Sequence, residues 1–437
     1  MKRKIFSTAS LFLLGWMMNA QEIKFEEYDL PNGLHVILHQ DTTAPVVTTG
    51  IMYHVGAKDE AEGRTGFAHF FEHLLFEGTK NIGRGDWFKI VSANGGQNNA
   101  NTDPDRTYYY ETFPSNNEQL ALWMEAERLR HPVINQIGVD TQREVVKEEK
   151  RMRMDNQPYG NFFNVLLTSV FKKHPYKGTV IGSIEDLNAA QLSEFNDFFK
   201  KYYIPNNAAL VVAGNINPEQ TKKWISEYYG SIPKGAPIVR NFPAETPITK
   251  EAEEIFYDAN IQIPAYIYTY RTPKATDRDS YALQMLGNYL SNGKSSVLYK
   301  KLVDKEKKAL EAGAFNMSFV DYGIFAFFAI PMNNTSKEVL TKDIDAEIKK
   351  LQTELISEED YQKLQNQFEN NFVNSNSSVE NIAHTLVSNY LLKGNTNLIN
   401  EEIKIYRSIT REELREAAKK YLNSNQRIII NYLPKSK

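Results

Sequence analysis

The chain has no cysteine among its 437 residues. That excludes disulfides and thiolate zinc sites, so any metal must sit on histidine and carboxylate. Histidine is itself scarce, at eight residues, so two histidines close together stand out. A large excess of positive charge is also missing. The formal net charge is −3, which argues against a nucleic-acid binder. Nor does any apolar run reach the roughly 20 residues of a good membrane span.

The longest apolar stretch lies at the start, in "MKRKIFSTASLFLLGWMMNAQE". Lys2, Arg3 and Lys4 form a basic n-region, an apolar segment follows, and Ala20 offers a small residue for cleavage. This pattern predicts a signal peptide over residues 1–20 and a periplasmic mature protein. A retained membrane anchor is the alternative, whereas a lipid anchor is excluded by the lack of cysteine. Cleavage removes three of 51 cations and none of 54 acids, which leaves a mild net charge near −6.

A chain this long predicts at least two domains. "EEYDLPNGLHVILHQD" reads as strand, Asn-Gly turn and strand, and "PVVTTGIMYHVG" as a further strand. "NAALVVAGN" (207–215) reads as a buried strand that closes the first half. Proline and glycine concentrate in 229–251, which marks a connection. "LNAAQLSEFNDFFKKYYIPNNAALVVAGN" from 187 then resembles "ITREELREAAKKYLNSNQRIIINYLP" from 409. Each is a capped helix ending in Lys-Lys-Tyr, a short turn and a β-branched strand. The expected fold is therefore α+β, with two duplicated halves, each a mainly antiparallel sheet packed with helices. The expected domains are 21–232 and 251–437, joined by a linker over 233–250.

"TGFAHFFEHLLFEGT" (65–79) carries the chemistry. On a helix, Phe67, Phe70, Phe71, Leu74 and Leu75 form one apolar stripe. His69, Glu72 and His73 fall on roughly the opposite face. The two histidines are then one turn apart and point the same way, as two ligands of one zinc must. Glu72 projects beside them and could take a proton from water. A random H-x-x-E-H arises in at most about two in a hundred chains of this histidine and glutamate content. A third ligand must be a carboxylate or another histidine. In "TQREVVKEEKRMRMDNQPYG", Glu149 shares a helix face with Val145 and Met152, and an isolated acid on an apolar face needs a metal or a cation. On these residues alone, a lysine or arginine partner serves as well as a metal.

H-x-x-E-H marks the inverzincins. The blocks "LPNGLHVIL", "GAKDEAEGRTGFAHFFEHLLFEGTKN", "GGQNNANTDPDRTYYY" and "REVVKEEKRMRMDN" resemble the pitrilysin/insulinase family of zinc peptidases. The resemblance is to its two-domain members, such as mitochondrial processing peptidase subunits and bacterial relatives. It runs through nearly the whole mature chain and is stronger in the first half. It implies one Zn2+ per chain, held by His69, His73 and a glutamate about 75 residues after the second histidine. Seventy-five residues lie between His73 and Glu149. It also implies Glu72 as general base, and Asn99 and Ala100 of "GGQNNANT" as residues of an edge strand to which peptide substrates add.

Two features depart from the family pattern. Gln142 stands where an acid is usual, so it can orient a ligand but supplies no charge. In "SSVLYKKLVDKEKKALEAGAF" (295–315), Val303 replaces an expected arginine, and Leu310 or Glu311 an expected tyrosine. The missing pair would stabilise the oxyanion, a contribution of a few kcal/mol. A hetero-oligomer with a sister subunit that carries the Arg/Tyr pair would repair the defect. A homodimer is possible but would not. Another tyrosine, with Tyr322 as a candidate, is the competing source. The expected function is an exported zinc endopeptidase subunit for unfolded or short peptides. The alternative is a non-catalytic peptide-binding or structural subunit.

Overall fold

The protein is described by a computed structural model over residues 22–435. The expected signal segment lies outside the described residues. Strands β1 (Glu26–Asp29), β2 (His35–Gln40), β3 (Val46–Tyr53), β4 (Gln97–Thr102), β5 (Thr107–Pro114) and β6 (Ala208–Gly214) form one sheet, ordered β1-β2-β6-β3-β5-β4. Strands β7 (Ala252–Asp258), β8 (Ala265–Thr272), β9 (Ala309–Ser318), β10 (Gly323–Pro331) and β11 (Arg427–Pro434) form a second, ordered β7-β11-β8-β10-β9. Each sheet has one parallel pair, β2 with β6 and β7 with β11, and is otherwise antiparallel. The order β2-β6-β3-β5-β4 maps position by position onto β7-β11-β8-β10-β9, as a duplicated chain requires.

The two segments that resemble each other in sequence fold alike. Helices Leu192–Tyr202 and Arg411–Tyr421 both open with a capping box, closed by Glu194 and Glu413. The box satisfies backbone donors that a helix start leaves unpaired. A 3-10 turn follows in each, then β6 or β11. Both strands enter the interior of their sheets, and all seven residues of β6 are buried. That burial explains its nearly unbroken apolar run.

Neither sheet is covered by its own half alone. Helix Val379–Lys393 packs on the first sheet, where Ile382, Leu386 and Val387 meet Ile37, Met52 and Val211. Helix Phe162–Val170 packs in turn on the second sheet, where Val165, Leu166 and Val170 meet Ile267, Ile428 and Ile430. The halves thus exchange one helix each.

The connecting segment 231–250 has neither helix nor strand, yet it is tied down. Arg240 pairs with Asp59 at 2.6 Å. The Glu245 carboxylate accepts backbone N–H groups from Lys172, Lys173 and His174. Beside it, Lys58 is buried between Asp105 (2.7 Å) and Asp321 (2.9 Å), a link from the first half to the β9–β10 turn. No helix among the described residues is long and apolar enough to cross a membrane.

Candidate active site

The motif helix runs over Phe67–Leu74. Its start is held by the buried Glu60 carboxylate, which accepts the N–H groups of Gly66 (2.8 Å) and Ala68 (2.9 Å). An anion there satisfies free donors and complements the helix dipole. Gly66 has φ +91° and lies against the backbone of Ile181 and Gly182, so a side chain would clash there. The predicted stripe Phe67, Phe70, Phe71, Leu74 and Leu75 is buried throughout, and Phe67 stacks on Phe195 at 4.6 Å. At the far end, Tyr109 Oη donates to the Phe71 carbonyl (2.8 Å) and Arg128 to the Leu75 carbonyl (3.1 Å). Arg128 is itself fully buried between Glu111 and Glu125. Both ends of the helix are therefore fixed by buried polar groups.

His69 and His73 emerge on the face away from that core, with ring centroids 4.9 Å apart. Helix Gln136–Lys150 brings Glu149 to them, its Oε2 lying 3.0 Å from His73 Nε2 and 3.6 Å from His69 Nε2. Ligand atoms of the three residues lie within 4.8 Å of one another. Two donors on a tetrahedral zinc are roughly 3.3 Å apart, so the spacing suits the ion. Glu149 Oε2 and His69 Nδ1 are buried with no hydrogen-bond partner. An unsatisfied carboxylate oxygen facing two imidazoles is a place for a cation. Burial, then the charge of His73, pulls His69 down to about 4, which leaves it neutral at pH 7 as a ligand must be. Burial would raise the Glu149 carboxyl, but the adjacent His73 imidazole and the other nearby positive groups hold it below its ordinary value.

Glu149 does not lie on the helix face expected of it. Val145 and Met152 do not share a buried stripe with it, being 44% and 60% exposed. The inward face carries Val139 and Val146, with Gln142 and Glu149 at its margin. After Lys150 the helix widens into a π turn over Arg151–Asp155, so the α-helical phase applied to Met152 does not hold. Gln142 donates to Glu77 at 2.6 Å. It braces the two helices through Glu77 and makes no hydrogen bond to His69, His73 or Glu149.

Glu72 lies beside the histidines. Burial raises its carboxyl, while a hydrogen bond from Thr102 Oγ1 (2.7 Å) to Oε2 works the other way. Thr102 ends β4, the outermost strand of the first sheet, which pairs only with β5. A cavity of about 580 Å³ lies between this edge and the glutamate helix, and Asn99 and Ala100 line it together with Glu72 and the three candidate ligands. Sequence reasoning missed the rest of the lining, Thr102, Arg153 and Asn164 among it. Arg153 had a signal, since it is one turn beyond Glu149 and pairs with its Oε1 at 2.8 Å. Asn164 had none, because it comes from the exchanged helix.

The second half brings no counterpart of the missing pair into this cavity. Val303 packs on the second core, Leu310 is exposed, and Glu311 lies on β9. Tyr322 is not part of the lining either. Its hydroxyl accepts the Glu245 N–H at 3.2 Å, and its ring packs on Phe171 and His174.

Comparison with known proteins bears on the family and the fold. Residues 35–183 match the family model described as insulinase (peptidase family M16), and residues 189–368 match the peptidase M16 inactive domain. The zinc protease PqqE of Helicobacter pylori is 29% identical over 429 residues, which cover 96% of each chain. The crystal structure of a protease from Helicobacter pylori superposes with a TM-score of 0.87 at 27% identity, covering 95% of this chain and 100% of that one. A peptidase M16 inactive domain from Pseudomonas fluorescens gives 0.84 at 14% identity, covering 95% and 98%.

Proposed function

Because the chain belongs to the insulinase family of peptidases (M16), we propose that it is an exported zinc endopeptidase subunit that cleaves unfolded or short peptides. One observation carries this reading. His69, His73 and Glu149 converge beside Glu72 at the free edge of β4. In this reading residues 21–232 form the zinc-binding domain, 233–250 the linker and 251–437 a supporting domain.

Two imidazoles and one carboxylate suit zinc and leave a coordination position open. Bound there, one Zn2+ would supply polarisation of a peptide carbonyl and acidify water. Glu72 takes the proton from the attacking water and passes it to the leaving amine. Its hydrogen bond to Thr102 fixes the carboxylate for that transfer. The substrate adds as a strand along β4, using backbone groups that β5 leaves free, with Asn99 and Ala100 at the point of contact. Helix-borne ligands and a strand-borne substrate are thereby held on rigid elements.

The cavity has no arginine or tyrosine from the second half to meet the developing oxyanion. A sister subunit that bears such a pair completes the site. The same gap favours a second reading, a peptide-binding subunit without catalysis. Peptide hydrolysis by the purified chain, with and without the product of a neighbouring family gene, separates the two. Glu72→Gln and a zinc assay serve as controls. Hydrolysis only with the neighbour, abolished in Glu72→Gln, supports the two-chain peptidase. Hydrolysis by the chain alone removes the need for a partner. Bound zinc and bound peptide without hydrolysis in either mixture favour the second reading.

A further inference from the structure

Among the described residues that line the cleft, Arg153 is the single lysine or arginine. Its side chain is 76% exposed, and its one ion pair is the Nη1 contact with Glu149 Oε1. A guanidinium carries five N–H donors in a rigid fork. One contact therefore leaves most of them free for something that enters the cavity.

The backbone puts Arg153 there for a reason. Arg151–Asp155 is a π turn, which closes its hydrogen-bonded ring one residue later than an α-helix. The wider turn keeps both Arg153 and Met154 on the side of Glu149, and both line the cleft. An α-helical continuation would carry one of them away.

The charges of the lining point the same way. Glu72 and Glu149 are the acids of the cleft, and one divalent zinc balances them. Arg153 then remains as an uncompensated positive charge within one helical turn of a metal ligand. The β4 side of the lining offers neutral groups, the amides Asn99 and Asn101 and the Thr102 hydroxyl, and Asn164 Oδ1 is buried without a partner. The same cavity has an apolar lining formed by Met154, Phe163, Leu167 and Ile181. Phe163 is 55% exposed, an open aromatic face at the cavity wall. A cation in a cavity with such a lining selects an anionic group close to a bulky apolar one.

We propose that Arg153 is a specificity-determining residue that binds a substrate carboxylate. The preferred substrates are peptides with an acidic group and a large apolar side chain close to the scissile bond. This rests on the peptidase reading and deepens it. The carboxylate is either an Asp or Glu side chain or the peptide C-terminus.

The test uses binding, so it does not depend on a partner or on turnover. The zinc-loaded full chain carrying Glu72→Gln is titrated with fluorescent peptides of one apolar sequence, read by anisotropy. The peptides carry Glu, Gln or Lys at one internal position, and each is made with a free acid or an amide terminus. Tighter binding of the Glu than the Gln peptide, by roughly fivefold for a largely exposed pair, is expected. Arg153→Gln should abolish that ratio, and Arg153→Glu should turn the preference toward Lys. A ratio that follows the terminus and not the internal residue assigns the site to the C-terminal carboxylate. Zinc content, measured on every variant, separates substrate binding from support of Glu149. If the variants lose zinc but the Glu-to-Gln ratio in the parent chain is one, Arg153 serves only the metal and the proposal fails while the peptidase reading stands. If no peptide binds the zinc-loaded chain, the peptidase reading fails and this proposal with it.

Discussion

His73 Nε2 and Glu149 Oε2 lie 3.0 Å apart, although 75 residues separate them in the chain. The contact joins two helices and closes a cluster that neither could form alone. Glu149→Gln should therefore strip the site of zinc while the fold survives. The loss in affinity should exceed the roughly 10–100-fold typical of a residue that only supports a ligand. Metal content after dialysis, with circular dichroism as the control for folding, measures it. Retention of stoichiometric zinc would remove Glu149 from the ligand set.

Thr102 reaches Glu72 from the neighbouring strand. Thr102→Val should lower kcat about tenfold, the worth of one hydrogen bond to a charged group. Thr102→Ser should recover most of it, and zinc content should not change. Equal rates for all three forms would show that Glu72 needs no such support.

The buried Lys58 couples Asp105 to Asp321 across the two halves. Burial disfavours the Asp321 carboxylate, but the nearby His174 imidazole, a hydrogen bond from Lys58 and the Lys58 charge hold its pKa far below the ordinary carboxylate range. A group depressed in the folded state adds stability above its unfolded pKa and loses it as pH falls. The melting temperature should thus drop as pH falls below about 4. Asp321→Asn should melt lower at pH 7 and show a flatter acid limb. A limb unchanged by this substitution would assign acid lability to other carboxylates.

Residues 22–250 made alone should not fold stably. Without helix Val379–Lys393, Ile37, Met52 and Val211 face water on one side of the first sheet. Supplying 251–437 as a second chain should restore a soluble pair, visible by size-exclusion chromatography and by amide protection on β3 and β6. A stable, monomeric first fragment would mean that the exchange is dispensable.

Much of this was legible in the chain. The Phe67, Phe70, Phe71 and Leu74 stripe fixed the phase of the motif helix, and the same phase put His69 and His73 together. Capping residues and Lys-Lys-Tyr ends exposed the repeat, because both copies solve the same local problem of ending a helix before a buried strand. Glu149 was reached by a spacing and by a helix face, and that face differs in the structure. Helical phase assumes one uniform pitch, and the π turn after Lys150 breaks it. The partner of Gln142 was out of reach because Glu77 is 65 residues away and nothing local links the two. The helix exchange was equally hidden, since an apolar face does not state which sheet it will cover.

That exchange constrains what change the molecule can survive. After a duplication, one copy is ordinarily free to decay. Here the second copy roofs the first with Ile382, Leu386 and Val387 and is roofed in return by Val165, Leu166 and Val170. Whatever its own chemistry, its apolar helix cannot be deleted without uncovering the half that holds the candidate site. The second copy is thus retained as scaffolding by mutual dependence.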